Sequence, residues 1–199
     1  MIATVSRRRV LRRDLKPFDG TTPRVHHLEA QAPQQMHLAS HRHMAHVVRD
    51  QPAALEAAFR DAASRADAII TSGGVSVGEA DFTKAMMRQL GDVAFWKIAM
   101  RPGRPMAVGR IGSAILFGLP GNPVAVMVTF LAFVRPALLR MMGARETAPV
   151  YLRARSAEAM RKKPGRTEYQ RGIVGAGADG ALTVRTTGNQ GSGVLSSMV

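Results

Sequence analysis

Two short stretches carry most of the chemistry in this chain: Ser72 to Asp81, reading SGGVSVGEAD, and Gly118 to Pro123, reading GLPGNP. The apolar run Ala68-Ile69-Ile70 leads directly into Thr71-Ser72-Gly73-Gly74, the order of a strand followed by a glycine turn. Ligands of open α/β sheets bind at the carboxyl ends of strands. Glycines there let backbone N–H groups come close to a phosphate, and the hydroxyls of Thr71, Ser72 and Ser76 add donors. An ordinary glycine turn has the same composition, and neither a P-loop nor a dinucleotide fingerprint is present. Glu79 and Asp81 follow the glycines, and Asp81 fits two roles. It can cap a helix whose apolar residues Phe82, Met86 and Leu90 recur every fourth position. It can equally hold Mg²⁺ or an oxyanion's hydrated metal beside a phosphate loop.

The second stretch places Asn122 as a helix cap and Pro123 at the first helical position, so the positive end of another helix dipole faces the same loop region. That helix is expected to run to about Met142, with a kink at Pro136 and a stop at Gly143. Other elements must bring the two stretches together. Asp50 and Pro52 start a helix with the apolar stripe Leu55, Phe59, Ala62, Ala63 and Ala66, which feeds the strand at Ala68–Ile70. A strand near Val93 to Met100 carries the only tryptophan, Trp96. Arg101-Pro102-Gly103-Arg104-Pro105 forms a stiff basic turn, and Met106–Gly109 and Ala114–Phe117 form a hairpin or edge strands. Alternating helices and strands predict a parallel-rich sheet covered by helices.

The chain has 199 residues, 46% of them hydrophobic, enough for one large domain or two small ones. There is no cysteine, which removes disulfides and thiolate metal sites and fits a reducing compartment. The basic start lacks the apolar core of a signal peptide, and the apolar run Val124–Val134 is too short to cross a bilayer. The net charge of +14 raises the question of nucleic acid. Its distribution argues against that, because Lys and Arg outnumber Asp and Glu 9 to 3 over Met1–Arg49 and 9 to 4 after Gly143, but only 10 to 7 between. The basic arm also lacks interleaved aromatics and any docking motif.

Three regions follow. Residues 1–46 read as an irregular arm, rich in Arg, His, Pro and Gln, with no sustained period and with the look of a frameshifted or misassigned start. The six histidines lie between His26 and His46, and His37, His41, His43 and His46 would converge if helical, but no carboxylate or cysteine accompanies them. Residues 47–145 form the α/β domain. Residues 146–199 form a small β domain, with strands expected at Val150–Arg155, Glu168–Val174 and Ala181–Thr186, ending where another strand could begin.

Taken together, these motifs resemble the molybdopterin molybdenumtransferase family of molybdenum cofactor synthesis, which includes MoeA and the gephyrin E domain. The resemblance runs from about Val47 to Met198. It is carried by Val48-Arg49-Asp50, Ala66-Asp67 through Asp81-Phe82-Thr83-Lys84, Phe95-Trp96-Lys97, Met100 to Pro105, Gly118 to Pro123 and Gln190-Gly191-Ser192. It implies a three-layer α/β/α MogA-like domain, incomplete at its N-terminal strand, followed by a small partial β-barrel.

The implied reaction is insertion of molybdate into adenylylated molybdopterin with Mg²⁺-dependent release of AMP, in the cytoplasm, by a protein that is a homodimer at full length. No membrane or nucleic acid takes part. Carried over by motif, Asp50 and Asp81 are the acidic catalytic and metal-binding residues, and Lys97 and Arg101 supply positive charge. Lysine is common at the position of Arg101, so the donor geometry differs while the charge is kept. Ser72, Gly73, Gly74, Ser76, Gly78, Pro102, Gly103, Pro120, Gly121, Asn122 and Pro123 line the molybdopterin site. The family's earlier domains and its Thr-Gly-Asp-Glu strand have no counterpart in Met1–His46, which implies a truncated chain of doubtful activity. A non-catalytic molybdopterin-binding or scaffold module is the alternative.

Overall fold

A computed structural model describes residues 2–7, 40–44, 47–48, 51–75, 81–160, 162 and 164–198. Its centre is a six-stranded sheet in the order β2-β1-β3-β7-β6-β4. The strands are β1 (Ile2–Arg7), β2 (Ser40–Met44), β3 (Ala68–Ser72), β4 (Gly91–Lys97), β6 (Pro105–Ile111) and β7 (Ala114–Leu119), while β5 (Met100–Arg101) stands apart.

Helices cover both faces of this sheet. On one side lie α1 (Pro52–Arg65) and α2 (Asp81–Leu90). Leu55 and Phe59 of α1 and Met86 and Met87 of α2 pack with Ile69, Val93 and Leu116. Their helical spacing of three to four against the strands' spacing of two is what makes one shared apolar layer. The other face packs Ala68, Met106, Phe117 and Leu119 against Val134 and the half-buried Phe130, Leu138 and Met141 of the long second-face helix. The expected three-layer α/β/α arrangement is therefore present.

That second helix shows how Pro136 is accommodated. It runs as α3 (Pro123–Thr129), a π turn (Phe130–Val134) and α4 (Arg135–Met141). Pro136 has no N–H for the carbonyl one turn back, and its ring would press on that carbonyl. The wider π turn, in which the Arg135 N–H reaches Phe130 O, absorbs the conflict without a break. The resulting helix, Pro123–Met141, is the one segment among the described residues long and apolar enough to cross a membrane by length and composition. Here Val124, Ala125, Val128, Thr129 and Val134 are buried against the protein instead.

Four expectations need correction. Within the six-stranded sheet, among the described residues, only β3 and β7 run parallel, while β1–β2, β1–β3, β6–β7 and β4–β6 are antiparallel, so the sheet is mixed rather than parallel-rich. The hairpin β6–β7 is present, but β7 is an interior strand. Residues 1–46 contain two strands where none was expected. β1 pairs with β3 in the register Ile2↔Thr71 to Val5↔Ala68, and β2 pairs with β1 at the sheet's edge. The edge strand Ser40-His41-Arg42-His43-Met44 has one apolar residue and gives no alternation to find. His37 and His46 lie outside the described residues, and His41 and His43 fall opposite Ser6 and Thr4 of β1.

The remaining correction concerns the C-terminal region, where Val150, Tyr151 and Leu152 are exposed and lie outside any strand. The strands there are β8 (Arg155–Ser156), β9 (Thr167–Glu168), β10 (Gly172–Ala176) and β11 (Leu182–Thr186). They form a three-stranded sheet β10-β11-β8, and closure into a barrel is not seen among the described residues. β9 instead adds to β5, which joins this region to the basic turn.

Candidate functional site

The two glycine stretches meet at the carboxyl ends of the parallel pair β3 and β7, whose register ends at Ser72↔Leu119. The Gly73 N–H donates to Leu119 O at 3.1 Å, and Ser72 Oγ donates to Pro120 O at 3.3 Å. The Gly73 N–H is thus spent on holding the loops together rather than left free to approach a phosphate. Gly74 is required by space as well as by its φ of +75°, since a Cβ there would stand 2.9 Å from Thr83 Cγ2. Thr71 is buried, and its Oγ1 has no hydrogen-bond partner among the described residues.

These loops border two cavities. One, of about 280 Å³, is lined by Thr71, Ser72, Gly73, Gly74, Thr83 and the apolar side chains of α1. The other, of about 440 Å³, is lined by Arg101, Pro102, Gly103 and Pro105 from the basic turn and by Pro120, Gly121 and Asn122 from the second loop. Ala125 of α3 and Gln190 and Ser192 of the C-terminal region complete it. The cavities are neighbours, because a Cβ on Gly121 would stand 3.8 Å from Gly73 Cα.

The sequence-predicted residues thus fall into groups. Ser72, Gly73 and Gly74 line the smaller cavity, and Arg101, Pro102, Gly103, Pro120, Gly121 and Asn122 line the larger. Pro123 opens α3, with Asn122 as the extended cap residue but without a side-chain capping bond. Lys97 sits at the end of β4, exposed and opposite Pro105, and lines neither cavity. Asp81 is the first residue of α2. Asp50, Ser76 and Gly78 lie outside the described residues, and the cap of α1 is Gln51 rather than Asp50.

Sequence reasoning missed how the larger cavity is closed. Gln190 and Ser192 belong to a motif that carries the resemblance without an implied role, and nothing in the sequence marks Arg171. Arg171 is 8% exposed. Its guanidinium donates to the carbonyls of Asn189 (3.1 Å), Gln190 (3.1 Å) and Gly191 (3.0 Å) and to Ser197 Oγ (2.9 Å). Gln190 returns the bond, accepting from the Arg171 N–H at 2.8 Å and donating to Arg171 O at 3.1 Å. A buried arginine whose three guanidinium nitrogens each find oxygen is a rigid tether, because each lost bond would leave a desolvated group unpaired. The tethered loop then reaches α3, where Ser192 O accepts the Val124 N–H at 3.1 Å. Pro123 has no N–H and the Val126 N–H donates to Asn122 O, so part of the expected anion-binding helix end is already engaged.

Glycine loops at a parallel strand pair, a basic turn and a helix start thus surround adjoining cavities of an α/β domain. The comparisons give that class its family. Residues 29–140 match the family described as "probable molybdopterin binding domain", and residues 153–199 match the MoeA C-terminal region, domain IV. The chain belongs to this molybdopterin-binding domain family. It is 44% identical over 151 residues to the molybdopterin molybdenumtransferase of Haemophilus influenzae, covering 75% of this chain and 37% of the relative. It is 38% identical over 128 residues to the protein of that name from a Nostoc species, covering 62% of this chain and 29% of the relative. Among solved structures, the molybdopterin biosynthesis MoeA protein of Pyrococcus horikosii is similar with a TM-score of 0.57 and 28% identity, over 76% of this chain and 35% of that one. The chain therefore spans about a third of the length of the relatives it matches.

Proposed function

We propose that the adjoining cavities take adenylylated molybdopterin, and that the chain serves the molybdate insertion step in which AMP is released. The observation that carries this reading is the convergence of the basic turn, the GLPGNP loop and the Gln190–Ser192 loop on one cavity of about 440 Å³. Arg101 presents a guanidinium whose paired N–H groups suit a phosphate or molybdate oxyanion. Gly103 and Gly121 allow close backbone approach, Asn122 and Ser192 offer polar atoms for orientation, and Gln190, its amide engaged with Arg171 and Thr187, holds the wall in place. Fixed donors of this kind stabilise charge that develops as the phosphoanhydride breaks. Lys97, which lies outside the cavity lining, adds to the positive field rather than touching the ligand.

Asp50 and Asp81 are the residues we assign to Mg²⁺. Two carboxylates suit an ion that keeps several waters and takes its remaining oxygens from phosphates. When bound, the ion would neutralise charge on the leaving AMP. We further place the boundary between the binding domain and the β region near Arg145, and the protein in the cytoplasm, as a homodimer at full length acting on soluble substrates without a membrane.

The test is molybdate-dependent AMP release from adenylylated molybdopterin, with Asp81→Ala as the control. Release by the wild type that Asp81→Ala abolishes supports the enzyme reading. That Lys97 lines neither cavity favours a second reading, a molybdopterin-binding or scaffold module without turnover. Pterin binding with no AMP release would select it.

A further inference from the structure

We infer that Thr129, which lies beneath the larger cavity and does not line it, is a positioning residue that fixes where Arg101 and Pro102 stand. Thr129 is wholly buried, and its Oγ1 donates to Ala125 O at 2.7 Å, with Val126 O at 3.1 Å. A threonine in a helix chooses its rotamer by such a bond to a preceding carbonyl. The bond therefore also fixes where the methyl group points, which is at the basic turn. A Cβ added to Gly103 would stand 2.5 Å from Thr129 Cγ2, and 3.4 Å from both Ala125 O and Met100 Cε. The backbone of Gly103, at a φ of +96°, is thus seated on the Thr129 methyl, with no room for any other residue between them.

The two halves of the turn are held differently. The incoming half is anchored by Met100, buried with Val124 and Val128, and by the Tyr169 N–H donating to Arg101 O at 2.8 Å. The outgoing half has the Ile98 N–H donating to Arg104 O at 2.8 Å, and the seat on Thr129. Removing the methyl leaves space under Gly103 into which the turn can settle, carrying Arg101 and Pro102 with it. Thr129 is also the last residue before the π turn that begins at Phe130, so its position along α3 depends on the same adjustment that admits Pro136.

Two substitutions separate methyl from hydroxyl in the full chain. Thr129→Ser keeps the bond to Ala125 and loses the contact with Gly103, whereas Thr129→Val keeps a methyl against Gly103 and loses the bond. The first readout needs no ligand: hydrogen exchange of the Ile98 amide, whose acceptor is in the turn. Thr129→Ser should speed it roughly tenfold, with Thr129→Val within about twofold of wild type. The second readout rests on the molybdopterin reading above. Affinity for molybdopterin should fall roughly tenfold in Thr129→Ser, with the thermal midpoint lowered by only about a few degrees, and stay near wild type in Thr129→Val. Unchanged Ile98 exchange in Thr129→Ser, or equal effects of both variants, overturns the inference. So does altered exchange with molybdopterin affinity untouched. A wild type that binds no molybdopterin would sink the ligand reading alone, since the exchange result stands independently of it.

Discussion

The sheet region and the C-terminal region build one cavity by opposite means. In the first, apolar burial does the holding: Ala68, Ile69, Leu116, Val124 and Val134 have no exposed surface. In the second, β10 is exposed at every position, and the one buried charged residue among the described residues is Arg171. The contrast shows that a site wall need not be part of a hydrophobic core. A short stretch around Gln190–Ser192 can be held as firmly by the hydrogen bonds of one desolvated guanidinium, provided its acceptors are backbone carbonyls fixed in place.

The difference predicts which changes spread and which stay local. Phe59→Ala, in the apolar layer beneath α1, should cost about 3–5 kcal/mol and shift the denaturant midpoint of the whole chain. Arg171→Met should cost about 2–3 kcal/mol, from the unpaired carbonyls it leaves. That loss should appear as faster hydrogen exchange around Asn189–Ser192, while β3 and β7 keep their protection. A global loss of protection would erase the distinction between the regions. Arg101→Ala should leave stability unchanged and weaken molybdopterin binding by about 1.5–3 kcal/mol, with Arg101→Lys recovering part of it, as titration would show.

The smallest effect is a pH dependence confined to the C-terminal sheet. Hydrogen bonding from the Thr186 side chain, and then from its backbone N–H at 2.6 Å, holds the exposed Glu158 carboxyl below its ordinary value of 4.5. A lowered folded-state value means that this bond contributes above the ordinary value and is lost as pH falls through the folded one. Amide exchange at Thr186 should therefore rise relative to β7 as pH drops below about 4.5, and Glu158→Gln should flatten the trend.

How much of this was legible in the sequence follows the same division. The α/β layers could be read because apolar periodicity marks burial, as at Leu55, Phe59 and Ala62. The hairpin over Met106–Phe117 could be read for the same reason. Both loops were visible because glycine, proline and asparagine announce turns and caps. Polar structure left no such trace. Nothing in Ser40–Met44 signals a strand, and nothing around Arg171 signals that its guanidinium faces inward toward three carbonyls. The sheet's direction was also beyond reach, since local periodicity reports that a strand exists and not which neighbour it joins. The π turn could not be foreseen as such, because Pro136 predicts a disturbance but not the form of its relief.

A double-mutant cycle between Arg101→Ala and Gln190→Ala, read by molybdopterin titration, tests most directly whether the two regions form one binding site. If Arg101 meets the ligand and Gln190 holds the facing wall of the same cavity, their effects will be coupled by at least about 0.5 kcal/mol. Strictly additive losses, or a Gln190→Ala variant that binds as wild type, would contradict a site built jointly by the sheet region and the C-terminal loop.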